Sequence, residues 1–191
     1  YLSPKMRSGA RVGHQQMYDH MFLDGLEDAY EPGRLMGTYA EDTAELFQFT
    51  REQQDEYAIG SLNNALSAQK EDAFDREITP VTIKTRKGEL IIKDDEQPKN
   101  AQPEKIPNLK PAFKKDGTVT AANSSSISDG AAALLISSEE RAAELSLPVR
   151  ANILGHTVHA HQPGMFTTAP IPAAKKLLEK IGWSTNEVDL W

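Results

Sequence analysis

An α/β chain is predicted by three features of this sequence. Apolar residues recur at helical spacing between Thr38 and about Asp72 and again near Leu177; an alternation of period two flanks Lys87-Gly88; and Ala131–Ile136 is an uninterrupted apolar run of the kind a strand buried on both faces shows. The chain has 191 residues and is 39% hydrophobic, enough for a core.

Taken in order, residues 1–36 read mostly as loop, with one apolar stretch at Met21–Leu23 followed by Gly25-Leu26, and Pro32-Gly33 marks a turn. Tyr39, Ala40, Thr43, Ala44 and Phe47 place a helix over 38–47. Thr50-Arg51-Glu52-Gln53 has the T-x-x-Q form of a capping box, opening a longer helix through Tyr57, Leu62 and Leu66 to about Asp72. Ile78, Val81 and Ile83 before Lys87-Gly88, and Leu90–Ile92 after it, predict a hairpin whose first strand Pro80 delays or sets at an edge. Residues 97–117 carry four of the eleven prolines and predict an extended loop; its five lysines stand against only Glu104 and Asp116. Beyond the buried strand, Ser137 and Glu140 predict a capping box for a helix to Leu145, Val149–Val158 alternates like a strand, and Pro163-Gly164 lies in a loop. Pro172 suits the first turn of a last helix, which buries Ala173, Ala174, Leu177, Leu178 and Ile181 and stops at Gly182. The alternation around Val188 and Leu190 reads as a strand beginning, and the lack of an initiator Met at Tyr1 reads as a chain cut at both ends.

Composition excludes several functions. A net charge of −7 opposes general nucleic-acid binding, which needs a clustered excess of Lys and Arg, and disfavours anionic lipid. No apolar run reaches membrane-spanning length and the N-terminus lacks a signal-peptide core, so an intracellular, cytoplasmic protein is expected. With no cysteine, disulfides, thiolate zinc sites and cysteine nucleophiles are absent from these residues. The phosphate-loop, dinucleotide, nucleophile-elbow and HExxH zinc patterns are missing. His156, His159 and His161 have no acidic residue between Arg150 and Pro172 to complete a metal site and read as loop or pocket lining. The lysine-rich proline loop suits a small polyanion such as a nucleotide phosphate, against the alternative of a solvated surface loop. The serine run after Asn123 either satisfies turn backbone or offers hydroxyls to an amide-rich ligand.

Six blocks in order resemble the thiolase family of acetyl-CoA acetyltransferases and 3-ketoacyl-CoA thiolases: DHMFLDGLEDAY (19–30), GRLMGTYAED (33–42), TREQQDEYA (50–58), LKPAF (109–113), GTVTAANSSSISDGAAALLISS (117–138) and APIPAAKKLLEKIGW (169–183). The resemblance implies a thiolase-like α/β fold, here a fragment comprising the inserted loop domain (1–127), the last strand and helix of the first core half (128–147) and the start of the second (148–191). It implies that Ser125, in the family's N-A-S motif, faces the pantetheine arm of coenzyme A, although Ser124 stands where Ala is usual. Leu26 matches an apolar coenzyme contact, Lys99 and Lys105 fall near the adenine and phosphate end, and Met36 and Phe166 line the acyl pocket. Leu35 replaces a His common in short-chain members. The implied parent is an acyltransferase of fatty acid metabolism acting on acyl-CoA, with coenzyme A as substrate, no tightly bound cofactor, and assembly as a homo-tetramer through the loop domain. The family's nucleophilic Cys, its N-E-A-F Asn, its G-H-P His and its second Cys have no counterpart here, so these residues are expected to bind and not to catalyse alone. A non-catalytic acyl-CoA-binding or oligomerisation protein is the rival reading.

Overall fold

The computed structural model describes all 191 residues, which fall into two compact units, Tyr1–Ser125 and Ser126–Trp191.

The first unit is organised by two helices. Its N-terminal stretch is irregular apart from an isolated Leu2–Tyr18 bridge and a π-helical turn at Phe22–Leu26, where the apolar Met21–Leu26 cluster lies. The chain then doubles back through Pro32-Gly33, and an isolated antiparallel bridge joins Glu27 to Leu35. Asp28 closes this bend, accepting the backbone N–H groups of Tyr30 and Glu31 at 2.7 Å each. Those bonds, with that from Glu31 foremost and those from Tyr30 and the Tyr39 hydroxyl besides, hold its carboxyl below the usual carboxylate range even though burial opposes the shift.

Helix α1 runs over Met36–Leu46 and α2 over Arg51–Lys70. The expected capping box is present at α2: the Thr50 hydroxyl accepts the Gln53 N–H, and the Gln53 side chain accepts the Thr50 N–H. The predicted hairpin is also present, with strands β1 (Val81–Thr85) and β2 (Gly88–Ile92) paired antiparallel from Val81↔Ile92 to Thr85↔Gly88. β1 begins immediately after Pro80, which has no N–H to give to a ladder.

The lysine-rich region departs from the extended loop that its prolines suggested. Asp95 caps a short helix α3 (Glu96–Asn100), and a 3-10 turn covers Pro103–Asn108 and buries Ile106. Proline tolerates both: Pro98 and Pro103 lie within the first turns, where no intrahelical N–H is needed.

The second unit corrects the sequence reading more strongly. Ala131–Ile136 is neither strand nor buried: Leu134 and Leu135 are each 87% exposed. Val149–Val158 is likewise outside any sheet, and no strand forms at Val188–Leu190. β1–β2 is the chain's only sheet, and an extended apolar segment becomes a strand only when another backbone completes its ladder. The short helix α4 (Glu139–Glu144) is capped one residue later than expected, by Ser138, whose hydroxyl accepts the Arg141 N–H. The loop at Pro163-Gly164 is a 3-10 helix, Pro163–Thr168. Helix α5 spans Pro170–Ile181, with Pro170 at its start and Pro172 still in its first turn. It ends where Gly182 takes φ 74°, a left-handed conformation that side-chain-bearing residues resist. Leu178 is its buried residue, and Leu177 and Ile181 approach Gly155 so closely that a Cβ there would sit 3.2–3.3 Å from them. The Thr157 hydroxyl donates to the Ala173 carbonyl, and Lys180 donates to the His156 carbonyl, fixing 155–159 along α5.

Candidate functional site: a serine loop held by buried carboxylates

Helix geometry puts Gly37, Glu41 and Ala44 on one stripe of α1, and that stripe faces the segment 113–119. A carboxylate in an apolar stripe is costly unless donors surround it. Glu41 is only 4% exposed, and it has them: Thr118 N–H at 2.9 and 3.0 Å, Val119 N–H at 2.9 Å and the Thr118 hydroxyl at 3.1 Å. Gly117 makes this approach feasible, because a Cβ there would collide with the Glu41 carboxylate.

A second carboxylate, Asp55 on α2, is equally buried at 4%. Arg51, one turn earlier, donates through Nε to Asp55 at 2.7 Å and through Nη2 to the carbonyls of Ile106 and Leu109 at 3.0 Å each. Asp55 also accepts from Asn123 Nδ2 at 3.2 Å. Asn123 in turn donates to the Thr118 carbonyl and accepts the Thr120 N–H at 2.7 Å, while the Ser124 hydroxyl donates to the Thr120 carbonyl at 2.6 Å. Gln54 donates to the Thr118 hydroxyl at 2.9 Å. Thr120 is fully buried at the centre of this turn. The result is a loop, 117–124, whose backbone polar groups are tied to two helices.

That loop forms one wall of a groove of about 650 Å³, with Ala122, Asn123, Ser124 and Ser125 facing Phe49, Gln53, Tyr57 and Ser61 of α2 and its approach. Apolar surface is interspersed there with the hydroxyls of Tyr57, Ser61 and Ser125, which suits a flexible chain bearing amides.

The candidate residues from sequence are distributed as follows. Ser125 lines the groove just described. Leu26 and Met36 are both half-buried, and the Glu27–Leu35 bridge puts them at opposed backbone positions. Lys99 is instead ion-paired with Asp94, which lies below its usual range because of that lysine, and it lines a second groove of about 640 Å³ beside Leu66, Phe74 and Ile78. Lys105 is exposed on the 3-10 turn that Arg51 anchors. Phe166 belongs to the second unit, on the 3-10 helix Pro163–Thr168, and is 44% exposed. In that unit the His159 Nδ1 is 3.1 Å from the Lys176 Nζ and its ring meets His161 edge to face. Burial foremost, then Lys176 and His161, keep the His159 imidazole below its ordinary pKa.

Sequence reasoning missed Glu41, Arg51, Asp55 and Asn123 as the residues that shape the loop. Arg51 and Asp55 carried one signal, their i, i+4 spacing, but an exposed ion pair has the same spacing.

The comparisons with known proteins agree with this architecture. The family model described as the thiolase N-terminal domain matches residues 1–140. Acetyl-CoA acetyltransferase of Paracoccus denitrificans is 44% identical over 191 residues, covering all of this chain and 48% of its own length. Among solved structures, Bacillus anthracis acetyl-CoA acetyltransferase matches with TM-score 0.90 at 41% identity, over 97% of this chain and 47% of that one. Human mitochondrial 3-ketoacyl-CoA thiolase matches with TM-score 0.90 at 33% identity, over 100% of this chain and 48% of that one. The chain spans about half the length of the curated relatives it matches. With the family model extending over most of its residues and the fold shared at this identity, the chain belongs to the thiolase family.

Proposed function

We propose that this chain is part of an acetyl-CoA C-acetyltransferase that catalyses the reversible Claisen condensation and thiolysis of acyl-CoA thioesters, and that these residues supply coenzyme A binding and pocket walls. The observation that carries the reading is the buried-carboxylate framework that holds Ser124 and Ser125 at the wall of an amide-compatible groove. Ser125 offers its hydroxyl to a pantetheine amide, Lys105 and, on release from Asp94, Lys99 offer ammonium charge to the phosphates, and Leu26 and Met36 give apolar wall to the pantetheine and acyl group. Coenzyme A enters as substrate, and the reading requires no tightly bound cofactor.

The condensation needs a cysteine thiolate, and these 191 residues contain none, so the nucleophile comes from polypeptide outside them. That thiolate attacks the acyl-CoA carbonyl and expels the coenzyme A thiolate, leaving an acyl-enzyme thioester. A second thiolate takes the α-proton of acetyl-CoA, the resulting enolate attacks the acyl-enzyme carbonyl, and the cysteine leaves as thiolate. Thiolysis is the reverse. The chain alone is therefore inactive. A cytoplasmic homo-tetramer is the expected assembly, and the hairpin supports a subunit contact: Val81, Ile83, Leu90 and Ile92 share one face, and the first three are about half exposed.

The test is Ser125→Ala in the full-length protein, followed by acetoacetyl-CoA thiolysis. KM rises several-fold while kcat changes little, because a contact made equally to ground and transition states acts on KM. Unchanged KM in both Ser125→Ala and Lys105→Ala would sink the coenzyme assignment. Coenzyme binding with no turnover in the full-length protein would favour the non-catalytic alternative.

A further inference from the structure

We infer that Arg51 and Asp55 are a positioning pair that couples the two ends of the coenzyme site, the turn bearing Lys105 and the loop bearing Ser125. This inference rests on the coenzyme-binding reading above.

The path is continuous. The Arg51 Nη2 holds the carbonyls of Ile106 and Leu109, one and four residues beyond Lys105. The same guanidinium binds one Asp55 oxygen through Nε, and the other Asp55 oxygen binds Asn123, two residues before Ser125. Neither Arg51 nor Asp55 lines the groove, so each acts through the loops it ties. Their side chains are 19% and 6% exposed, which separates this pair from a solvated surface bridge: both Asp55 oxygens and the Arg51 Nε and Nη2 are committed to named partners.

Asp55 also fixes the orientation of Asn123. The carboxylate can only accept, so it selects the Nδ2 side of the amide; the Thr120 N–H can only donate, so it selects Oδ1. Reversing the amide would set oxygen against carboxylate and N–H against N–H. The charge on α2 thereby dictates the conformation of the turn 120–123 that presents Ser124 and Ser125. An asparagine at 55 has one acceptor oxygen for two donors, Arg51 Nε and Asn123 Nδ2, so one end of the path must be released. A lysine at 51 keeps the charge but lacks the planar fork that reaches the Asp55 carboxylate and two carbonyls together.

The experiment uses the full-length protein with two substrates, acetoacetyl-CoA and acetoacetyl-pantetheine, which lacks the nucleotide. Lys105→Ala is expected to raise KM for the coenzyme A thioester alone, and Ser125→Ala for both. Asp55→Asn is expected to raise KM for both by about fivefold to tenfold with little change in kcat, the cost of a charge-assisted bond lost at one remove. The decisive readout is the double variant. In the Asp55→Asn background, Lys105→Ala should raise KM for the coenzyme A thioester at least about threefold less than it does alone, since a loop already released has less to lose. A purely structural role would lower the unfolding midpoint and leave the Lys105→Ala factor intact, which would overturn the coupling. Arg51→Lys provides the same comparison where Asp55→Asn does not fold. If Lys105→Ala and Ser125→Ala have no effect on either substrate, the coenzyme reading itself fails; if they act as expected and Asp55→Asn does not, only the coupling fails.

Discussion

Removal of the Glu41 carboxylate gives a direct measure of how the serine loop is held. In Glu41→Ala the N–H groups of Thr118 and Val119 lose their acceptor in a site that is 4% exposed at Glu41. Each orphaned buried donor costs about 1–3 kcal/mol, so the two together cost about 2–6 kcal/mol. The Thr118 hydroxyl adds little, because it rotates and still accepts from Gln54.

Glu41→Gln separates charge from geometry. Its carboxamide oxygen can take the place of Oε1, which serves both backbone N–H groups, while its NH2, in the place of Oε2, donates to the Thr118 hydroxyl and ends the second bond from the Thr118 N–H. The charge assistance is lost, about 1 kcal/mol for each of the two remaining bonds to backbone N–H, together with that second bond, while neither N–H is left without an acceptor. The assay is chemical unfolding of the two variants beside the parent, together with amide hydrogen exchange at Thr118 and Val119. Expected are a large loss of stability in Glu41→Ala, a smaller one in Glu41→Gln, and exchange at those two amides accelerated in the alanine variant beyond the global change. The reasoning fails if Glu41→Ala unfolds within about 0.5 kcal/mol of the parent, the range of ordinary surface substitutions, or if the two amides stay fully protected.

Three further outcomes are expected. Gly117→Ala drives a methyl into the Glu41 carboxylate and within 3.0 Å of the Lys114 carbonyl, and should lower stability by about 1–3 kcal/mol in thermal or urea unfolding. Thr50→Ala removes the acceptor of the Gln53 N–H at the start of α2 and should cost about 1 kcal/mol, read in the same way, with the thermal midpoint falling by roughly 3 °C for a chain of this size. Asp28→Asn tests a pH dependence. The Asp28 pKa is lower in the folded than in the unfolded chain, so the stability it contributes is fully present above the unfolded value near 3.9 and is lost as pH falls through the folded value. The stability gap between parent and variant should thus be constant from pH 5 to about 8 and close below about pH 4. A gap that stays the same down to pH 3 would contradict the assignment.

What could be read from the sequence were the features whose physics is local. The Thr50–Gln53 box, the Gly182 stop and the turn at Lys87-Gly88 each depend on residues within a few positions of one another, and each forms where expected. Ser138 in place of Ser137 as cap of α4 is a choice between adjacent hydroxyls that the capping rule alone does not make. Ala131–Ile136 and Val149–Val158 failed for the opposite reason. An apolar run records a capacity to be buried, while a strand needs a second backbone in register, and neither run has one in this chain.

The same distinction explains the candidate site. Ser125 could be singled out because a short motif carries it, and it lines the groove, but the residues that tie its loop are charged, and charge in a sequence ordinarily denotes solvent. Glu41 and Asp55 are buried because backbone and side-chain donors 68 to 78 residues away along the chain, beyond Arg51, converge on them, a fact no window of sequence contains. Each carboxylate therefore does two jobs at once: it terminates the donors of a loop that has no sheet or helix to satisfy them, and it selects one conformation for that loop. An apolar residue at 41 would leave the Thr118 and Val119 N–H groups unsatisfied, and one at 55 would release the Asn123 amide and the Arg51 Nε. A wall built this way is rigid without being apolar: the Ser124 hydroxyl is spent on the Thr120 carbonyl, and it is the Ser125 hydroxyl that the groove can present to an amide-bearing ligand.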